Sequence, residues 1–108
     1  MTPYNYTYNG QQFAIALRGT VGLMCLAERR IGEPFNPEDK YHMLALFYTA
    51  LIISNKKAVG LPTLDDFIET LTTSVFASMN EWFWATWREL EGPSNEGTET
   101  KDADPKND

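Results

Sequence analysis

The chain has 108 residues, enough for one domain with its own core, because roughly two-thirds of the unfolded chain's surface can be buried at this size. Its net charge of −6 argues against nucleic acid as a partner, since a phosphate backbone requires a basic stripe. The single cysteine, Cys25, excludes an intramolecular disulfide framework and a cysteine-rich zinc site. Its apolar neighbours predict that Cys25 is a small core residue.

Alternating tyrosines and an Asn-Gly pair mark the beginning of the chain. Aromatic side chains at every second position favour a strand, and Asn9-Gly10 is a strong signal for a two-residue type I′ turn. After the turn, the apolar positions that share one face are Phe13, Ile15 and Leu17. The sequence therefore predicts an antiparallel hairpin over residues 4–17, with strands near 4–8 and 11–17. Because an isolated hairpin is marginally stable, its apolar face must pack on a helix or pair with another chain.

The apolar period changes after Gly19 and predicts a helix over residues 20–31. Thr20 is the expected N-cap, and Gly32 is the expected left-handed residue after the helix. Four residues form the predicted stripe of this helix: Val21, Met24, Cys25 and Glu28. Apolar residues on both sides widen that stripe: Leu23, Leu26, Ala27 and Ile31. In the link to the next helix, Phe35 is expected to act as a hydrophobic plug.

Residues 41–53 form the most apolar stretch, with eleven apolar side chains among thirteen. A helix that is apolar nearly all round is either a membrane span or a buried central helix. Thirteen residues are too few for a span, which needs roughly 20, so no membrane partner is predicted. We expect a central helix over residues 37–55, capped by Asn36 and with Pro37 at its first position.

Two more helices and a polar tail complete the chain. Thr63 is the expected cap of a helix over residues 63–71, with Asp65 and Asp66 in its first turn. The last helix is predicted over residues 75–91. Residues 92–108 carry five acidic and two basic side chains and one apolar side chain, Ala103, so we predict a disordered acidic tail.

These elements predict an α+β, mainly α fold. An N-terminal hairpin precedes about four helices packed around the central apolar helix 41–53, within a single globular domain of residues 1–91. The N-terminus lacks the basic and then apolar layout of a signal peptide, so the expected location is the cytoplasm.

No arrangement of side chains in the sequence indicates catalysis. His42 has no partner visible in the sequence and is interpreted as a structural histidine, on the helix surface or hydrogen-bonded. Asp65 and Asp66 are interpreted as residues that complement the helix dipole. A phosphate-binding glycine loop and a Gly-x-Ser-x-Gly motif are both absent. We therefore expect no enzyme, no cofactor and no metal site.

The last helix carries an unusual concentration of aromatic residues. One helical face can bury Phe83 and Trp87, which leaves Trp82 or Trp84 to point toward another surface. Either a wide core takes both remaining indoles, or they form an exposed patch for a partner, since tryptophan is enriched among binding hot spots. The sequence favours a binding or assembly protein over an enzyme.

A family resemblance rests on helix ends, caps and core positions between about residues 8 and 90. The matching positions are Leu26, Glu28, Gly32, Phe35, Ser54, Asn55, Leu61, Thr63, Asp65, Asp66 and Phe67. In this pattern the chain resembles the small tail assembly chaperones of long-tailed bacteriophages and prophages, particularly those of gut bacteria. Pro62 and Leu64 depart from the family's pattern at the start of this helix.

The resemblance implies a function without catalytic residues. Such chaperones coat the tape-measure protein, a long helical rod, and keep it soluble in the cytoplasm of the bacterial host until tail-tube subunits assemble around it. The residues expected to contact this helical client are Trp82, Phe83, Trp84 and Trp87, with Phe47 and Tyr48 as contributors. A head–tail connector, a minor tail protein and a module that forms homo-oligomers through its hairpin edge are the alternatives.

Overall fold

The computed structural model describes residues 2–92 and contains a two-stranded sheet followed by four helices. The strands are β1 (Tyr4–Tyr8) and β2 (Gln11–Ile15), and the helices are α1 (Thr20–Ile31), α2 (Lys40–Ser54), α3 (Leu64–Thr70) and α4 (Thr73–Glu91). The predicted α+β, mainly α architecture is confirmed. The predicted tail, residues 92–108, lies outside the described residues except for Gly92.

The N-terminal hairpin forms as its turn sequence requires. Asn9 and Gly10 both have positive φ, 51° and 78°, which a type I′ turn needs at its two central positions. β1 and β2 are antiparallel, with Tyr6 opposite Phe13. Tyr6, Phe13 and Ile15 are buried, so one face of the hairpin belongs to the core. The second strand ends at Ile15 rather than residue 17, although Leu17 is also buried.

The far edge of β2 is covered by the end of α2. The Ser54 hydroxyl oxygen accepts a hydrogen bond from the Ala16 backbone N–H (2.9 Å) and donates one to the Ala16 carbonyl (3.0 Å). The Asn55 side-chain amide donates to the Ala14 carbonyl at 2.9 Å. These bonds satisfy backbone groups that β1 cannot reach.

Helix α2 is the centre of the fold, as its composition predicts. Its buried residues are His42, Met43 and every residue from Ala45 to Leu51. Other elements cover it on several sides: Phe47 contacts the rings of Phe76 and Phe83 in α4, and Tyr48 contacts Phe67 in α3. The Phe67 ring also contacts Tyr6 of the hairpin, so α3 is wedged between the hairpin and α2.

The start of α2 differs from the prediction. Asp39, not Asn36, is the N-cap, and its side chain accepts hydrogen bonds from the backbone N–H groups of Tyr41 and His42. The Asn36 side chain instead accepts from the Glu38 N–H within the preceding turn. Asn36 and Asp39 are both capping residues, and the turn begun at Asn36 delays the helix by one turn.

His42 is a buried, hydrogen-bonded structural histidine. Its Nδ1 accepts the Asn36 backbone N–H at 2.9 Å, so the ring hydrogen lies on Nε2, which donates to Glu33 Oε2 at 2.9 Å. The Phe35 ring packs beside it, half-buried, with ring centroids 6.1 Å apart. This arrangement fixes the link between α1 and α2 against the first turn of α2.

Helix α1 has the predicted bounds, but it buries only part of the broad stripe predicted for it. Leu23 and Ala27 are its buried residues, while Cys25 is exposed and Val21 is 77% exposed. The predictions that Cys25 is a core residue and that Val21 belongs to the buried stripe are therefore wrong. Thr20 is also not the cap, because Gly19 occupies that position without a side-chain bond. Gly32 ends the helix at φ 90°, as expected.

The last two helices follow their capping residues. Thr63 accepts a hydrogen bond from the Asp66 N–H at the start of α3, as predicted. Thr72 caps α4 in the same way through the Val75 N–H, so α4 starts at Thr73 rather than residue 75. Three residues of α4 are buried: Met79, Phe83 and Thr86. Within residues 2–92, no helix combines the length and apolar character needed to cross a membrane.

Candidate protein-binding surface

The six residues predicted to contact a client fall into two groups. Phe47 and Phe83 are 1% and 0% exposed, and Tyr48 is 7% exposed, so these three are core residues. A sealed ring offers no area to a partner, and we correct the predicted contact set accordingly. Trp82, Trp84 and Trp87 are half-buried and remain as candidates.

The three buried rings have structural roles instead. Phe47 and Phe83 pack with ring centroids 5.1 Å apart at the contact of α2 with α4. The Tyr48 hydroxyl donates a buried 2.7 Å hydrogen bond to the Pro62 carbonyl. Burial raises the pKa of Tyr48, partly offset by the Arg30 guanidinium, which lies 5.0 Å from the centre of the same ring.

Trp82 connects α4 to the beginning of the chain. Its indole N–H donates a 2.7 Å hydrogen bond to the Thr2 carbonyl, and its ring contacts Tyr4 with centroids 5.6 Å apart. The Tyr4 hydroxyl in turn bonds Ser78 at 3.3 Å. Trp82 therefore holds β1 against α4, and only the remaining part of its ring is available to a partner.

Trp84 and Trp87 form a pair on the other side of the buried stripe of α4. Their ring centroids are 5.7 Å apart, and each ring also packs against Phe83. The Trp84 indole N–H donates to the Asn80 side-chain oxygen at 3.1 Å, one helical turn earlier. Two half-buried indoles that pack against each other and against Phe83 are suited to anchoring a partner, because packed side chains have less side-chain entropy to lose on binding.

A second apolar region lies on α1 and was missed by sequence reasoning. Val21 is 77% exposed, Leu26 is 41% exposed, and Cys25 between them is exposed as well. The available signal was that α1 is apolar on more sides than a single contact with α2 can cover. The broad buried stripe predicted for α1 includes all three residues, and the exposure of each contradicts that prediction.

No group of three or more His, Cys, Asp or Glu side chains within residues 2–92 is placed to hold a metal ion. Asp65 lies exposed in the first turn of α3, where it complements the helix dipole, and the Asp66 backbone N–H is held by the Thr63 cap.

Comparisons with known proteins do not add to this description. No family model, no curated protein and no solved structure matches the chain.

Proposed function

We propose that the protein is a tail assembly chaperone of a long-tailed phage or prophage. In this role it binds the tape-measure protein, or a similar helical client, in the bacterial cytoplasm and keeps it soluble during tail assembly. The observation that carries the proposal is the Trp84–Trp87 pair, two half-buried indoles that pack against each other on one side of α4. The resemblance of the helix ends and caps to such chaperones supports the same function.

A helical client with an exposed apolar stripe is prone to aggregate. Its apolar stripe must be covered until its permanent partner arrives, and an apolar surface with aromatic anchors provides that cover. The net charge of −6 on the chaperone then helps to keep the complex in solution through mutual repulsion between complexes.

Co-expression tests the proposal directly. The full chain is produced together with the tape-measure protein encoded in the same phage or prophage genome, and the soluble and co-purified fractions of the client are measured. We expect the chain to raise the soluble fraction and Trp84→Ala to lower co-purification severalfold. Tyr41→Ala is the matched control, since it removes an aromatic ring that is 46% exposed on α2. A client that is equally insoluble with and without the chain would refute the proposed function.

A further inference from the structure

An apolar groove runs between α1, α2 and the segment that follows β2. Its volume is about 210 Å³; the exposed Leu26 and the half-buried Ile53 offer apolar area to a partner, and the buried side chains of Leu17, Leu23 and Ala50 complete its lining. Gly22 lies on its wall, and a Cβ atom built there would meet nothing within 4 Å. The groove is therefore open to solvent and has unoccupied space beside α1.

This groove continues along α1 into a second depression of about 280 Å³. Leu26 and Ile53 line both depressions, and Ile52, Arg29 and Arg30 belong to the second. The combined surface, here called the α1–α2 groove, extends from Gly19 to Arg30. At about 1.5 Å per residue this is roughly 16 Å, the length of three turns of a bound helix.

The ends of the α1–α2 groove are basic, although the chain as a whole is acidic. Arg29 and Arg30 lie at one end. Arg18 lies at the other, where it shares a third depression with Lys56 and Lys57. These are five of the seven Lys and Arg residues within residues 2–92, and no carboxylate lines any of the three depressions. None of the five makes a salt bridge with another residue of this described part.

An apolar floor between basic ends is complementary to one kind of partner. A helix with one apolar face can fill the floor, as in other helix-in-groove complexes, and acidic residues on its flanks can pair with the arginines. We propose that the α1–α2 groove binds an acidic amphipathic helix of about three turns from another protein. This goes beyond the proposed function, because the groove shares no residue with the Trp84–Trp87 pair and needs no particular client.

Two other occupants fit the surface less well. Residues 93–108 of this chain are acidic, but their only apolar side chain besides proline is Ala103, which cannot fill the floor. A second copy that met the same face would bring its basic ends against the basic ends of the first, and like charges in contact cost binding free energy. An acidic amphipathic helix can both fill the apolar floor and pair with the basic residues at the ends of the groove.

A designed peptide tests the proposal with the full-length chain. The probe is a fluorescently labelled amphipathic peptide of about five turns, with leucines on one face and glutamates on both flanks. A matched peptide carries lysines on the flanks instead. We expect the glutamate peptide to bind with micromolar affinity that weakens as salt is added, and the lysine peptide to bind at least about tenfold more weakly.

Variants then locate the binding site. Leu26→Glu should weaken binding of the glutamate peptide about tenfold or more, because it places a charge on the apolar floor. Val59→Glu is the matched control, since Val59 is 81% exposed and lies outside the groove. Arg29→Glu should weaken binding and reduce its salt dependence. Circular dichroism of each variant verifies that the fold is retained.

Several results would overturn the inference. One is failure of the glutamate peptide to bind up to millimolar concentration, and another is equal binding of the glutamate and lysine peptides. The third such result is that the Leu26→Glu variant binds the glutamate peptide as tightly as the wild type does. A dimer seen by light scattering and lost in Leu26→Glu would assign the groove to a second copy. Displacement of the probe by a peptide of residues 93–108 would assign it to the chain's own tail. The readout does not involve the tape-measure protein, so this inference and the proposed function can fail separately.

Discussion

Tyr48 donates its hydroxyl hydrogen to the carbonyl oxygen of Pro62 across 2.7 Å, in a buried contact between α2 and the residue two positions before α3. The bond connects the central helix to the loop that leads into α3. Because Pro62 is itself buried, its carbonyl has no access to water that could replace this donor.

We predict that Tyr48→Phe lowers the free energy of unfolding by about 1–3 kcal/mol, since a buried acceptor loses its partner. Urea denaturation followed by circular dichroism measures the change. Tyr41→Phe is the control on the same helix, because its ring is 46% exposed, and its effect should stay within about 0.5 kcal/mol. Equal midpoints for wild type and Tyr48→Phe would show that the bond contributes nothing to stability.

Stability should decline in alkaline solution because of Tyr48 and Tyr6. Burial raises the pKa of both phenols; for Tyr6 a hydrogen bond with Thr70 opposes the shift and the nearby Tyr8 adds to it. Folding therefore favours the neutral phenol. The stabilisation is complete below the unfolded pKa of about 10 and is lost as the pH rises through the folded-state pKa.

Urea midpoints measured between about pH 8 and pH 11 test this alkaline effect. The double variant with Tyr6→Phe and Tyr48→Phe should show a flatter decline than the wild type. Trp84→Phe removes no ionisable group, so its decline should match that of the wild type. An unchanged decline in the double variant would contradict the prediction.

Variants at two neighbouring acidic residues test which side chain caps α2. Asp39→Ala should destabilise the fold by about 1 kcal/mol, because the backbone N–H groups of Tyr41 and His42 lose their acceptor. Glu38→Ala removes a carboxylate one position earlier that does not cap the helix, so its thermal midpoint should shift less. A larger midpoint shift for Glu38→Ala than for Asp39→Ala would contradict the assignment of Asp39 as the cap.

Phe83 and Trp84 are adjacent in α4 but should differ in their effect on stability. Phe83→Ala should cost about 3–5 kcal/mol, because the ring is fully buried and its removal leaves a cavity. Trp84→Ala should cost clearly less, because its ring is half-buried. Equal losses in denaturant titrations would place Trp84 in the core and remove it from the candidate binding surface.

Features set by neighbouring residues were predictable from the sequence. The Asn9-Gly10 turn, the Thr63 cap and the Gly32 helix end each depend on backbone preferences over a few residues. Helix α2 was predictable for a different reason. It is apolar nearly all round, so burial follows whichever way the helix faces.

Features that depend on how elements pack were not predictable. In α1, apolar residues occur on several sides, so periodicity alone does not decide between burying Leu23 and Ala27 or burying Val21 and Cys25. The choice follows from contact with α2. Phe47 and Tyr48 were expected at a binding surface for the same reason, since the sequence does not show which elements cover α2.

Hydrogen bonds between distant parts of the chain were also beyond sequence reasoning. The indole of Trp82 reaches the carbonyl of Thr2, 80 residues earlier in the chain, and this bond decides that Trp82 is largely structural. No local pattern indicates such a partner, because the indole N–H can be satisfied by any nearby acceptor.

The bonds between Ser54 and Ala16 have a consequence for how copies of the protein can associate. A single hydroxyl occupies both backbone groups of Ala16, as the next strand of a wider sheet would do. Main-chain pairing of another hairpin with Ala16 is thereby blocked, and an unprotected strand edge at this point would invite fibre-like growth. The opposite edge of the hairpin, formed by Tyr4–Tyr8, is not affected by these bonds.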